Sequence, residues 1–312
     1  MMQTQTFPAG AAPRVTITGC QGTVTIESWD QRDFAVDSVA QGAIRQEDAA
    51  LVIHAARGDM RLRVPAATEI LVDNHQGDLQ IATIDGSVRM RDIDGSVFVS
   101  GVALLAIERD HLLRRRRWSP LRPHRNVEAR EIGVAEIAEV HSNLLLVAAE
   151  RAVIGEVGGN ATVRGIAGDL TLDDVGGNCE TVQVGGALKL GDVGGNCVIE
   201  NISGSVRAGH VGGNADLRSS GPILDLGSIG GNLKLTNAPL GQEGLAAPIS
   251  SIAVGGSARI ELPAQANLAI DAIVGGSIKG RNVLNGPGMR TIVYGDGGTR
   301  LRLTVGGNLT LV

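Results

Sequence analysis

The stretch Val157-Gly158-Gly159-Asn160 returns through the second half of the chain at intervals of 18 residues. Its further copies are Val175-Gly176-Gly177-Asn178, Val193-Gly194-Gly195-Asn196, Val211-Gly212-Gly213-Asn214 and Ile229-Gly230-Gly231-Asn232. Weaker copies such as Val184-Gly185-Gly186-Ala187 lie halfway between them, so the underlying period is nine residues. A short fixed period is typical of solenoid proteins, in which each repeat packs only on its neighbours.

Apolar and polar residues alternate after each Gly-Gly pair. The fifth place of the nine-residue unit is occupied by Ala161, Leu170, Cys179, Leu188, Cys197, Val206, Ala215, Leu224 and Leu233. A second apolar place follows two residues later, and residues such as Thr171 and Lys189 separate the two. This alternation predicts a short strand with one face inward and the other in water.

Two nine-residue units are expected to form one coil, and successive coils to stack as parallel strands about 4.8 Å apart. We expect the Gly-Gly pairs to supply the positive φ angles of a tight corner. The predicted fold class is therefore all-β, a parallel β-solenoid with coils of 18–20 residues. The asparagines should form a hydrogen-bonded ladder along that corner. The predicted turn ladder consists of Gly158, Gly159, Asn160, Gly176, Gly177, Asn178, Gly194, Gly195, Asn196, Gly212, Gly213, Asn214, Gly230, Gly231 and Asn232.

The composition indicates an aliphatic core, because 44 of the 312 residues are glycine and only six are aromatic. The scarcity of aromatic residues also leaves few stacking platforms for sugars or nucleic-acid bases. Three cysteines do not suggest a disulfide framework. Cys179 and Cys197 share a column in adjacent coils, and we expect them to be small buried apolar residues.

No targeting segment is evident in the sequence. Residues 1–13 lack the basic and apolar regions of a signal peptide, and no run of 18 apolar residues occurs. The sequence as it stands predicts a cytoplasmic protein, or a cell-surface protein if a leader has been removed.

The first third of the chain carries related strand repeats. These are the run Gly22-Thr23-Val24-Thr25-Ile26-Glu27-Ser28-Trp29-Asp30, the triplet Arg63-Val64-Pro65, and the segments 76–81, 85–90 and 94–99. Together they resemble the bacterial putative-adhesin family of β-strand repeats, with the polymerising bactofilins as more distant architectural neighbours. The resemblance covers most of residues 14–107, and the Val-Gly-Gly-Asn repeats look like an extension of it. It implies a β-repeat fold and surface attachment, and it transfers no catalytic residues.

The strand pattern breaks between the two repeat regions. We expect a solenoid segment of putative-adhesin type over residues 1–107, a basic loop excursion over 108–126, and a Gly-Gly-Asn-repeat solenoid over 127–312 that continues the first. The excursion holds seven arginines, one glutamate and one aspartate, a charge of about +5 against −10 for the remainder. Pro120 and Pro123 also interrupt any regular element there.

The segment Asn308-Leu309-Thr310-Leu311-Val312 is apolar and uncharged. The order of the repeats predicts that it forms the uncovered end of the stack, where backbone donors and acceptors are unpaired. Another molecule could then add head to tail and propagate a fibre. Alternatively, residues 1–13 or a crossing loop such as residues 237–248 could fold over an end as a lid.

Residue patterns that carry chemistry are sparse. A calcium-binding β-roll needs Asp where this chain has Val163, Thr181 or Leu217, so that function is excluded. Glu156, Asp174, Asp192, His210 and Ser228 are 18 residues apart and predict either a solvated edge or a cation site. No nucleophile elbow, phosphate loop, dinucleotide fingerprint or metal-ligand pair occurs. The sequence therefore predicts no enzyme, no cofactor and no small-molecule substrate.

One segment carries charged and aromatic side chains that the strand repeats do not require: Arg114, Arg115, Arg116, Arg117 and Trp118. It is either a solvated loop or a docking site for an acidic protein surface, including another copy, or for an anionic membrane; nucleic acid is the least favoured partner. The sequence thus predicts a non-enzymatic scaffold that self-assembles or docks partners through its ends and this basic segment. The alternative is an adhesin-like module that binds a surface or carbohydrate partner.

Replacing Arg114–Arg117 with serine should leave the melting temperature nearly unchanged, because the segment lacks a strand pattern. It should weaken any association seen at low salt, since charge attraction is screened over about 8–10 Å at physiological ionic strength. Calorimetry and light scattering at two salt concentrations provide the measurement. Association indifferent to both the substitution and the salt would remove the segment from the functional account.

Overall fold

The computed structural model describes residues 3–38, 41–108, 126–237, 251–262, 267–280, 288–297 and 299–312. In these ranges the chain forms 28 strands and no helix, and most of the strand pairs are parallel. The prediction of an all-β chain with a largely parallel sheet is therefore confirmed. None of the described residues forms a helix long and apolar enough to cross a membrane.

The chain divides into two compact units, Met1–Val157 and Gly158–Val312. The strands of the first unit are β1 (Gln3–Pro8), β2 (Arg14–Thr18), β3 (Val24–Trp29), β4 (Asp33–Ser38), β5 (Gln41–Glu47), β6 (Ala50–Arg57), β7 (Met60–Pro65), β8 (Glu69–Gln76), β9 (Leu79–Asp94), β10 (Val97–Ile107), β11 (Val127–Val140) and β12 (Leu144–Val157).

Parallel pairing links β9, β10, β11 and β12 in chain order, so that Val97 lies between Leu79 and Val127. The order differs at the start of the unit. Strand β2 lies between β6 and β8, and β3 lies between β7 and β9. Beyond these, β4 and β5 pair antiparallel with β7 and β6, and β1 pairs with β4. The coil that contains β2 and β3 is thus inserted one place inside the stack.

The strands of the second unit are β13 (Ala161–Ile166), β14 (Leu170–Leu172), β15 (Cys179–Val184), β16 (Leu188–Leu190), β17 (Cys197–Ile202), β18 (Val206–Ala208), β19 (Ala215–Ser220), β20 (Ile223–Leu226), β21 (Leu233–Thr236), β22 (Ser251–Val254), β23 (Ala258–Ile260), β24 (Leu268–Val274), β25 (Ile278–Lys279), β26 (Gly288–Tyr294), β27 (Thr299–Val305) and β28 (Leu309–Leu311).

The 18-residue interval sets the register of this unit. Cys179 pairs with Ala161 and with Cys197, and Leu188 pairs with Leu170 and with Val206, all in parallel strands. The two halves of a repeat are nevertheless unequal. In the repeat 179–196, for example, the first half forms a strand of six residues and the second a strand of three, followed by an isolated bridge at Val193.

The expected role of the Gly-Gly pairs is wrong. None of the glycines of the Val-Gly-Gly-Asn copies has a positive φ angle. They are required because consecutive repeats approach so closely: a Cβ on Gly195 would lie 2.6 Å from Oδ1 of Asn178 and 2.8 Å from the carbonyl oxygen of Gly177. Positive φ angles occur instead inside the longer strand of each repeat, at Gly165, Gln183, Asn201 and Ser219, and at Asn237, directly after β21.

The inward position assigned to Leu224 is also wrong. Val206 pairs with Ile223, and the register then shifts so that Arg207 pairs with Asp225. Ile223 and Leu226 are buried, whereas Leu224 is only partly so. The strict period fails here because a bulge takes up one residue, and a shift of one residue exchanges the two faces of a strand.

The prediction that residues 308–312 form the uncovered end of the stack is wrong. Leu309 pairs with Ala258 of β23 on one side and with Ile278 of β25 on the other. In space, the repeat 299–312 therefore lies between the repeats 251–262 and 267–280. Strand β26 pairs antiparallel with β24 and extends the sheet further. Of the suggested lid, residues 238–248 lie outside the described part of the chain.

Leu190 and Lys189 test the assignment of the two faces. Leu190 is 3% exposed, whereas its neighbour Lys189 is on the exposed face. Leu190→Asp should cost several kcal/mol, because it buries a charge without a partner. Lys189→Asp should cost less than about 1 kcal/mol. Thermal melts followed by circular dichroism measure both, and equal losses in the two variants would show that the faces are wrongly assigned.

Candidate binding surfaces

The first unit carries a groove on the outer face of its parallel sheet. The side chains of four neighbouring strands line it: Thr25, Glu27, Gln80, Ala82, Phe98, Ser100, Glu128 and Arg130. Its volume is about 440 Å³.

Strand register arranges these side chains as a grid. One row runs Thr25, Gln80, Phe98 and Glu128, and the second runs Glu27, Ala82, Ser100 and Arg130. Neighbouring strands are about 4.8 Å apart, so side chains within a row are in contact range. Ala82 and Ser100 are short, which leaves a depression next to the much larger ring of Phe98.

Phe98 is the apolar centre of this groove. Its side chain is 41% exposed, although the flanking Val97 and Val99 are buried in the core. Single exposed apolar side chains are common on protein surfaces, but Phe98 also lines a depression between polar side chains. Gln80 and Glu128, its partners in the two adjacent strands, present hydrogen-bonding groups on either side of the ring.

Arginines hold the carboxylates of the groove in place. Arg130 Nε donates to Oε1 of Glu128 at 2.6 Å, and Arg61 forms two hydrogen bonds with Glu27 at 3.0 and 2.9 Å. The hydrogen bonds that Arg61 donates to Glu27 raise the pKa of this guanidinium further, so its charge is permanent. The groove therefore has fixed polar walls around an exposed aromatic ring.

The sequence alone predicts that Phe98 is exposed, but it does not predict the groove. Strict alternation in Val97-Phe98-Val99 places Phe98 on the outer face. The groove itself depends on neighbours from three other strands, and β11 pairs with β10 at an offset of 30 residues because of the intervening excursion. No periodic pattern in the sequence brings Arg130 next to Ser100.

The second unit contains a continuous ladder of side-chain acceptors along one corner. Oδ1 of each asparagine accepts from the backbone N–H of the next: Asn160 from Asn178, Asn178 from Asn196, Asn196 from Asn214 and Asn214 from Asn232, at 2.8–2.9 Å. The ladder continues beyond Asn232, whose Oδ1 accepts from the backbone N–H of Ser257. Oγ of Ser257 then accepts from the N–H of Asn308, and Oδ1 of Asn308 accepts from the N–H of Ser277. The ladder therefore follows the spatial order of the repeats.

The acidic column at the neighbouring corner makes the same kind of bond. Oδ1 of Asp174 accepts from the backbone N–H of Asp192 at 3.0 Å, and Oδ1 of Asp192 accepts from that of His210 at 2.8 Å. Nδ1 of His210 lies 2.7 Å from Oγ of Ser228. Glu156 belongs to the first unit. Among the described residues, no group of three or more His, Cys, Asp or Glu side chains is arranged to hold a metal ion.

Buried titratable groups lie apart from these surfaces. Cys20, Cys179 and Cys197 are free and buried. The hydrogen bond to Cys179 and burial raise the pKa of the Cys197 thiol well above its usual value, so it is not a thiolate at neutral pH. His75 is fully buried in β8, and burial lowers the pKa of its imidazole. These groups belong to the core.

The arginine segment proposed as a partner site, Arg114–Arg117 with Trp118, lies outside the described residues. It belongs to the connection between β10, which ends at Ile107, and β11, which begins at Val127. Its interpretation continues to rest on the sequence.

Comparison with known proteins reveals no informative relative. No protein-family profile matches the chain. No curated protein matches it. Among solved structures, a putative cell adhesion protein from Clostridium sporogenes aligns over 100% of this chain and 99% of its own, with 8% identity and a TM-score of 0.18. A putative adhesin from Parabacteroides distasonis aligns over 100% and 97%, with 10% identity and a TM-score of 0.29. Neither superposition is close enough to support an argument about fold or function.

The ladder predicts that two substitutions at Asn196 destabilise the protein to different extents. Asn196→Ala removes the acceptor for the backbone N–H and Nδ2 of Asn214, which lie 2.9 and 3.0 Å away, and should cost about 1 kcal/mol or more. Asn196→Asp keeps the acceptor, as Asp169 does for the N–H of Ala187, and should cost less. Urea denaturation of both variants measures the difference. Equal stability of the two would mean that the side-chain acceptor does not stabilise the corner.

Proposed function

We propose that the protein is a non-enzymatic, adhesin-like binding module built as a β-solenoid, and that the groove around Phe98 holds an extended carbohydrate chain. The observation that carries the proposal is the exposed aromatic ring in the centre of a grid of hydrogen-bonding side chains.

The chemistry of the groove matches that of a sugar ring. Sugars present an apolar face of C–H groups and a rim of hydroxyls, and aromatic rings offer a flat apolar surface for the former. Hydroxyls both donate and accept, so they can pair with the amide of Gln80, the carboxylate of Glu128 and the hydroxyl of Ser100. All three side chains surround Phe98.

The regularity of the sheet favours an extended ligand over a compact one. Parallel strands repeat at about 4.8 Å, and each contributes two outward side chains to the groove. A chain laid across the strands would therefore meet a similar pair of rows at every step. The groove is also open along the sheet surface, which suits an internal stretch of a polymer.

The two carboxylates of the groove are more simply explained by ligand binding than by catalysis. A glycosidase needs one carboxylic acid that keeps its proton and a second carboxylate across the scissile bond. Both glutamates of the groove accept hydrogen bonds from arginine guanidinium groups. Because their oxygens are already bonded to arginine, Glu27 and Glu128 are assigned to positioning and hydrogen bonding.

A scaffold function is the second candidate. Docking through Arg114–Trp118 onto an acidic protein surface or an anionic membrane is supported by the charge of that segment alone. Fibre growth at residues 308–312 has lost its basis, because β28 is paired on both sides. Self-association at a different edge, that of β26, is favoured by the exposed apolar side chains of that strand.

Phe98→Ala should weaken binding to glycans by roughly fivefold to tenfold, because it removes the stacking surface, worth about 1 kcal/mol. The intact protein would first be screened on an array of neutral and acidic glycans, and the best ligand titrated by calorimetry. Val153→Ala is the matched control, since Val153 is an exposed apolar residue of β12 outside the groove. Absence of binding to every glycan, or equal affinities in the two variants, would overturn the proposal.

A further inference from the structure

The edge strands of the two units differ in the side chains that they expose. In the first unit the edge strands are polar: β1 exposes Thr4 and Gln5 and ends at Pro8, and β5 exposes Arg45 and Glu47. Charged side chains and proline on an edge strand are common devices that prevent another strand from pairing with it. The edge strands of the first unit are therefore protected against association.

Strand β26, at the edge of the second unit, has less of this protection, because it contains no proline and Arg290 is its one charged residue. Within the described part of the chain it pairs only with β24, so its far edge carries unpaired backbone donors and acceptors. Its outward side chains are Met289, Thr291 and Val293. Met289 is 69% exposed and Val293 is 54% exposed, and Ile273, which is paired with Met289, is 41% exposed. An edge strand of seven residues with an apolar outer face and a single charged residue, Arg290, is a favourable site of strand addition.

The polar groups beside this edge are already satisfied within the chain. Thr291 Oγ1 donates to Oδ1 of Asp271 at 2.8 Å, and Arg300 Nε donates to Oδ2 of Asp271 at 2.6 Å. The hydrogen bond from Arg300 and, to a lesser degree, the one from Thr291 lower the pKa of Asp271. Covering the edge would therefore leave no new polar side chain of this network without a partner.

We propose that β26 pairs antiparallel with β26 of a second copy of this chain, forming a two-fold symmetric dimer through one continuous sheet. In the register centred on Thr291, Met289 lies opposite the partner's Val293, and the contact occurs twice. Cross-strand apolar pairs of this kind stabilise a sheet. Arg290 lies opposite the partner's Ile292, so the register does not place like charges directly opposite each other.

This self-complementarity is the reason for choosing a second copy as the occupant. A two-fold contact uses the same strand of both molecules and leaves neither edge free, so the assembly stops at two. It differs from the head-to-tail fibre that the order of the repeats predicted. The inference does not depend on carbohydrate binding, because the groove around Phe98 involves other strands.

The test uses the full chain and measures its mass by light scattering after size exclusion, with the dissociation constant from sedimentation. We expect a dimer. Met289→Lys or Val293→Lys would replace one apolar partner at both symmetric contacts of the dimer. Each variant should therefore raise the dissociation constant by roughly tenfold or more. Val153→Lys introduces the same charge at an exposed apolar residue of the first unit and should leave the dimer unchanged. Circular dichroism confirms that the variants are folded.

Register is tested by cross-linking. Thr291→Cys places a thiol on the two-fold axis and should form an intermolecular disulfide under mild oxidation. Thr304→Cys, on the same face in β27 but away from the edge, should not. The three native cysteines are buried and do not interfere. A monomeric wild-type protein, a dimer that is insensitive to both lysines, or cross-linking at Thr304 in place of Thr291 would each overturn the proposal. Loss of glycan binding with an intact dimer would affect the groove alone.

Discussion

The second unit depends on direct contact between the backbones of successive repeats. At the Gly-Gly corner, the N–H of Gly195 donates to the carbonyl oxygen of Gly177 at 2.9 Å, and the same bond recurs at each repeat of the series. A side chain cannot be placed between chains this close. The asparagine that follows then turns its side chain onto the next repeat. Two glycines and an asparagine therefore specify both the spacing and the direction of the stack, and the alternating strands follow from that geometry.

Periodicity in the sequence predicted the parts of the fold that repeat. The pairing of Cys179 with Cys197 follows from their common place in the 18-residue unit. The reason for the glycines was not predictable from the pattern, since a positive φ angle and a close backbone approach both require glycine. Residues with left-handed backbone angles turned out to be mostly non-glycine, as at Gln183 and Asn201. Their strain is local and is held by paired strands on both sides.

The order of the repeats at the end of the second unit could not be predicted for a different reason. The corners at Gly255, Gly275 and Gly306 are chemically alike, and each can stack on any other. Chain order suggested one arrangement, whereas the antiparallel strand β26 requires another. The groove around Phe98 was hidden for a related reason, because it combines residues of four strands and only the exposure of Phe98 follows from alternation. Interactions between distant segments, unlike the period, have no local pattern.

The inserted position of the repeat 299–312 affects how the protein is made. During synthesis, the repeats 251–262 and 267–280 emerge from the ribosome before their common neighbour exists, although in the folded unit they are separated by it. If those two repeats pair with each other first, their contact must open again to admit β27 and β28. This part of the unit therefore cannot be completed vectorially, and a nascent chain remains unfinished there until residues 299–312 have been translated.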